Sequence, residues 1–256
     1  MPTAASALST GHLRATGPAQ MRRYHQSLTA DAEKRLLIWI AKRLPPAVNS
    51  DHLTMLGFAS SLGVAGAFAL TPLVEWAPLA VVPLLVLNWF GDSLDGTLAR
   101  VRNQQRPRFG YYVDHVIDVV GMAAIGTGLA MSGLMTPALG LGVAMAYVLL
   151  AAESFLATHC VGTFRISFGL FGPTELRIIL AAGAVKAAFS PWVALGGFDI
   201  RLFDLGGAVA IAGMLGALLV TAARNTRTLF HAEPLPGESA IERRDAEGSI
   251  RGGTVE

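Results

Sequence analysis

The sequence predicts an all-α fold, an integral membrane bundle of six transmembrane helices preceded by an amphipathic interfacial helix. Three observations carry this expectation. Hydrophobic residues make up 52% of the 256 and charged residues 15%, against about 25% charged in an ordinary soluble domain. The apolar residues gather in runs long enough to cross a bilayer, which takes about 20 residues of helix. Ahead of the first run, "TADAEKRLLIWIAKRLPP" carries Leu36, Leu37, Ile40, Ala41 and Leu44 at helical spacing.

Taken in order, residues 1–28 are polar and lack a basic region followed by an apolar core. They read as a solvated tail, not as a cleaved signal peptide. Residues 29–46 form the amphipathic helix: Lys34, Arg35, Lys42 and Arg43 stand off the apolar stripe, and Pro45 and Pro46 end it. That pattern suits a helix lying in the membrane interface, with a core-packed or partner-binding helix as the other reading. Residues 47–230 hold the six spans, expected at Leu53–Pro72, Ala77–Arg100, Gly110–Gly133, Thr136–Thr158, Pro173–Ser190 and Asp204–Thr226. Residues 231–256 make a second polar tail. The single Cys160 permits no internal disulfide.

Six spans leave both termini on one side, and the basic residues say which. Short loops rich in Lys and Arg stay in the cytoplasm. Seven of the 20 precede the first span, Arg100, Arg102, Arg106 and Arg108 lie between the second and third, and Arg165 lies between the fourth and fifth. Only Arg201 falls in an expected outer loop. Both termini and the Arg100–Phe109 loop are therefore expected in the cytoplasm.

Four aspartates stand out against this background. Asp92 and Asp95 are three apart and Asp114 and Asp118 four apart, so each pair shares a helix face. The first pair lies near the inner end of the second span and the second near the inner start of the third, at one depth on adjacent antiparallel helices. Gly96 and Ala99 follow Asp92 on its stripe; Gly110 precedes and Gly121 follows Asp114 on its own. Small residues permit close helix packing, and beside acids they leave room for a ligand. Carboxylates next to hydrocarbon are costly unless compensated. Hard oxygen donors of short reach favour Mg²⁺ or Mn²⁺ shared with substrate phosphates, and about two such ions would neutralise four carboxylates and clamp an in-line phosphoryl displacement.

The spacing Asp92-x2-Asp95-Gly96-x2-Ala99-Arg100-x9-Gly110-x3-Asp114-x3-Asp118 resembles the signature of the CDP-alcohol phosphotransferase family at all of its fixed positions. The signature covers residues 92–118, and the likeness extends more weakly to about residue 226. The resemblance implies that Asp92, Asp95, Asp114 and Asp118 hold two divalent cations, Mg²⁺ or Mn²⁺, and that Asp118 is also the general base. It further implies that Gly96, Ala99 and Gly110 make room for the CDP moiety while Arg100 helps hold its phosphates. "SDHLTMLG" is similar to the family's Pro-Asn-x-Leu-Thr-x-x-Gly approach to the first span, with Ser50 and Asp51 where Pro and Asn are usual. Only Thr54 is carried over, as a nucleotide-side residue; a hydroxyl serving the helix backbone is the competing reading.

The implied reaction attacks a CDP-linked donor with an alcohol and releases CMP. CDP-diacylglycerol with a small polar alcohol is the favoured pair, and a CDP-choline or CDP-ethanolamine type donor with diacylglycerol is the alternative. His115, Arg165, Glu175 and Arg177 are candidate acceptor-binding residues. The "DH" pair, "GTFR" and "TELR" resemble the amino-alcohol branch, and basic residues hereabouts also suit anionic acceptors. Packing for His115 and snorkelling or interhelical pairing for the arginines are the bland readings. Membrane lipids and a second copy of the chain are the expected partners, with no nucleic acid. High alanine and glycine content points to a bacterial inner membrane. A divalent-cation transporter is the remote alternative, since intramembrane acids often mark ion paths; its acids should lie near the midplane beside broken helices, whereas these lie near helix ends.

Overall fold

A computed structural model describes residues 30–161 and 173–233. The chain runs α1 (Ala30–Ala41), α2 (Ser50–Ala69), α3 (Ala77–Val101), α4 (Pro107–Met131), α5 (Pro137–Cys160), α6 (Pro173–Phe189), β1 (Trp192–Leu195), β2 (Phe198–Arg201) and α7 (Leu202–Ala232). It is an all-α membrane bundle: α2, α3, α4, α5 and α7 are each long and apolar enough to cross a bilayer. The expected first 28 residues, Arg165 and all of the C-terminal tail beyond 233 lie outside the described residues.

The span count needs a correction. The expected fifth span, Pro173–Ser190, is the 17-residue α6, about 25 Å at 1.5 Å per residue and shorter than a hydrocarbon core of about 30 Å. It also carries Glu175, Arg177 and Lys186. Among the described residues the membrane-length helices therefore number five, not six. Even so, α6 runs antiparallel to α3. Arg177 meets Asp92, and at the far end Phe189 packs edge-on against Trp76 with ring centroids 5.8 Å apart. The chain thus reaches the end of the bundle remote from the aspartates before α7 begins.

An unexpected hairpin makes the turn there. Trp192 pairs with Arg201 and Leu195 with Phe198 in antiparallel register, around Gly196 and Gly197 at φ 59° and 86°. Two consecutive positive φ values make a tight hairpin turn that a Gly-Gly pair adopts without strain. From it α7 runs alongside α5. Asp204 accepts from the Thr136 amide (2.5 Å) and hydroxyl (2.8 Å) at the start of α5, and Asn225 donates to Glu153 (2.7 Å) near its other end.

At the aspartate end α2 is started by a capping box. Asn49 accepts from the His52 amide at 2.9 Å, and His52 Nδ1 accepts from the Asn49 amide at 3.4 Å. The helix therefore begins at Ser50, three residues before the expected Leu53. On the amphipathic helix α1, Leu37 and Ala41 are buried against Leu53, Leu94 and Leu98, while Leu36 stays exposed. Arg102 ties the following turn to the end of α3 by donating to the carbonyls of Leu44, Pro45 and Val48. A larger apolar cluster, including Val64, Phe68, Val81, Leu129, Met135 and Phe203, fills the other half of the bundle. The aspartates sit between the two clusters.

Beside Asp92, α2 and α3 approach closely. A Cβ on Gly91 would lie 2.5 Å from the Leu53 carbonyl and 2.8 Å from Gly57 Cα. Backbone cannot yield as a flexible side chain would. Gly91→Ala is therefore expected to destabilise the bundle by about 1–3 kcal/mol, the usual cost of overpacking. A lower apparent melting temperature of the variant in detergent would bear this out, and an unchanged one would contradict the close approach.

Candidate metal centre

Asp92 in the second half of α3 and Asp114 and Asp118 in the first half of α4 bring one carboxylate oxygen each to within 4.8 Å of one another. The helix period accounts for two of the three, because positions four apart nearly eclipse. The antiparallel return of α4 beside α3 supplies the third. Asp92 and Asp114 are half-buried and Asp118 is exposed, so the cluster opens to one side. Three converging hard oxygens fit a small divalent cation such as Mg²⁺ or Mn²⁺, which takes carboxylates and leaves positions for water and phosphate.

Asp95 stands differently from the expectation that all four acids converge. It lines the same cavity as Asp92 and Asp118, but both its oxygens already accept hydrogen bonds, from Thr54 Oγ1 at 2.7 Å and from the Gly96 amide at 2.5 Å. Three residues turn a helix through about 300°, which rotates Asp95 off the Asp92 stripe and toward α2. Thr54 Oγ1 also lies 3.1 Å from the Ser50 carbonyl. Its single proton has two acceptors in reach, and the carboxylate is the nearer.

The remaining expected residues divide by place. Arg100 folds back on α3, with its guanidinium donating to Thr97 Oγ1 at 3.0 Å and lying over Gly96. Ala99 is half-buried, and Gly110 is exposed, with open space where a Cβ would point. His115 stacks on Tyr111 (centroids 4.0 Å) and meets Phe155 edge-on (5.2 Å). Its Nδ1 lies 2.7 Å from the Tyr111 carbonyl; a carbonyl only accepts, so this nitrogen carries the proton. The same nitrogen is 3.7 Å from Asp114. On α6, Glu175 is half-buried in the first turn, and Arg177 donates to Asp92 Oδ2 at 2.5 Å.

Two neighbours of the cluster escaped the sequence reading. Asn88 and Ser61 line the cavity, and Asn88 joins Arg177 at 2.7 Å. A signal existed for Asn88, which lies four residues before Asp92 on the same helix stripe. Nothing comparable marked Ser61, whose place depends on how α2 faces α3.

A family model described as CDP-alcohol phosphatidyltransferase matches residues 48–223, from just before α2 into the second half of α7. Among curated proteins no significant match to the sequence was found.

Proposed function

This chain belongs to the CDP-alcohol phosphatidyltransferase family, and on that premise we propose that it makes a phosphodiester lipid from CDP-diacylglycerol and a small polar alcohol. The observation that carries the reading is the convergence of Asp92, Asp114 and Asp118 within 4.8 Å, on a cavity that Asp95 also lines. In this reading the four aspartates hold two divalent cations, Mg²⁺ or Mn²⁺. Cations held there would supply positive charge to the donor phosphates and to the charge that develops during displacement.

The chain's own residues do the rest. Asp118 takes the proton of the acceptor hydroxyl, and its exposure on the open side of the cluster supports that role. The hydroxyl oxygen forms a bond to the β-phosphorus of the donor. The bond from that phosphorus to the bridging oxygen breaks, and CMP leaves with the electron pair. Thr54, Gly96, Ala99, Arg100 and Gly110 make the nucleotide side, which is consistent with the open space at Gly110. His115, Arg165 and Glu175 belong to the acceptor side, with Arg177 on its border with the metal ligands. The catalytic domain is residues 47–230. In the same proposal the protein works as a homodimer in a bacterial inner membrane, with both termini and the site cytoplasmic and α1 in the interface.

The test is CMP release by purified protein in detergent or liposomes with Mg²⁺ or Mn²⁺. CDP-diacylglycerol is offered with inositol, inositol phosphate, glycerol phosphate, serine or choline, and CDP-choline or CDP-ethanolamine with diacylglycerol. Release that depends on an acceptor from the first set is the expected result. Release only with diacylglycerol would reverse which substrate carries the CDP. No release from any pair, with Mn²⁺ flux in the same liposomes, would replace the transferase by a transporter.

A further inference from the structure

We propose that Asn88 and Arg177 form a positioning relay that orients the Asp92 carboxylate for cation binding, an inference that rests on the metal reading above. The relay starts on α2. Asn88 Nδ2 donates to the Gly57 carbonyl and to Ser61 Oγ, both at 2.9 Å. With both amide protons taken, the orientation of the amide is set by its partners, and the acceptor Oδ1 faces the other way. There it receives Arg177 Nε at 2.7 Å. Arg177 Nη2 then donates to Asp92 Oδ2 at 2.5 Å. Three helices, α2, α3 and α6, thus converge on one carboxylate of the cluster through this chain of hydrogen bonds.

Geometry explains why these residue types are needed. Asn88 and Asp92 are one helical turn apart, and the planar fork of a guanidinium reaches both at once. A lysine ammonium keeps the charge but has no second donor at fixed distance. The placement also separates this pair from an ordinary surface ion pair. The side chains of Arg177 and Asp92 are 18% and 27% exposed, whereas those of Arg106 and Asp51 are 54% and 52% exposed. An ion pair as exposed as the latter holds little in place. Partners that hydrogen-bond to a metal ligand from outside tune its orientation, and losing one typically costs about 10–100-fold in metal affinity or activity.

Removing the Arg177 charge would mix two effects, since a nearby cation also repels the metal. Asn88→Ala and Arg177→Lys avoid this, because each keeps the positive charge and removes only the constraint. The purified variants are titrated with Mn²⁺, with the free ion read by electron paramagnetic resonance and folding checked by melting without metal. Each variant is expected to bind Mn²⁺ roughly 10–100-fold more weakly than the parent. CMP release should then recover as Mn²⁺ is raised, since the carboxylates themselves remain. Unchanged or tighter binding in either folded variant overturns the relay, and if one variant fails to fold the other decides. Asp92→Asn separates the two readings. If the parent binds Mn²⁺ no better than Asp92→Asn, the metal assignment falls and the relay with it. If Asp92→Asn loses binding while Asn88→Ala and Arg177→Lys keep it, only the relay falls.

Discussion

Asp118→Asn is expected to lower turnover by about 10²–10⁴-fold, the range that a positioned general base contributes. Asparagine has nearly the shape of aspartate but cannot take a proton, and it removes one anionic oxygen from the group formed with Asp92 and Asp114. Asp118 is the exposed member of that group, so the substitution should leave the fold intact and nucleotide binding partly in place. CMP release and CDP binding, measured on the same preparation, separate chemistry from affinity. Unchanged turnover would move the base role to His115. The Nδ1–H of that residue donates to the Tyr111 carbonyl at 2.7 Å, which leaves Nε2 as the nitrogen that would take the proton, and its ring is held by Tyr111 and Phe155.

For Asp95→Asn the expected loss of turnover is more than about 100-fold, beyond what the removal of an outer partner of a metal ligand usually costs. The variant is informative because asparagine keeps an acceptor for Thr54, whose hydroxyl lies 2.7 Å from Asp95 Oδ2. The Thr54 hydrogen bond can survive on the amide oxygen, but the amide nitrogen cannot accept from the Gly96 amide, so one acceptor is lost together with the charge. A folded Asp95→Asn protein with near-normal CMP release would take Asp95 out of the metal set and leave the cluster at Asp92, Asp114 and Asp118. Melting temperature without metal decides whether the variant is folded, so that inactivity is not confused with collapse.

The acidic cluster that both experiments probe was legible in the spacing of the aspartates, and the base role of Asp118 only through the family resemblance, whereas the hydrogen-bond partners of those aspartates were not legible. Periodicity along one helix assigns a direction around its axis. It puts Asp114 and Asp118 on one face of α4, and it also assigns Asp92 and Asp95 a shared face, whereas the structure leaves Asp95 turned toward Thr54 and outside the close cluster. Which helix stands opposite that direction depends on packing. Thr54 reaches Asp95 where α2 and α3 come together, with no room for a Cβ at Gly91 and little at Gly57. Arg177 reaches Asp92 across 85 residues of sequence, and no local pattern encodes such a pairing. The same distinction explains the span count. Hydropathy marked Pro173–Ser190 as apolar, but the helix formed there is 17 residues long and carries the charged group that packs against the cluster.

What the sequence by itself determined is the part governed by local chemistry. Hydropathy made a membrane protein built of helices, the Asn49 capping box set where α2 begins, and the four-residue repeat aligned the α4 carboxylates, whereas α1 stops at Ala41, ahead of the Pro45 and Pro46 expected to end it. Only the tertiary structure decided which acids meet, which of them is held by Thr54 or by Arg177, and how Asn88 links α2 to α6. The physical reason is reach. A side-chain oxygen acts over a few ångströms, so its partners are whatever the close packing of glycine-lined helices brings there.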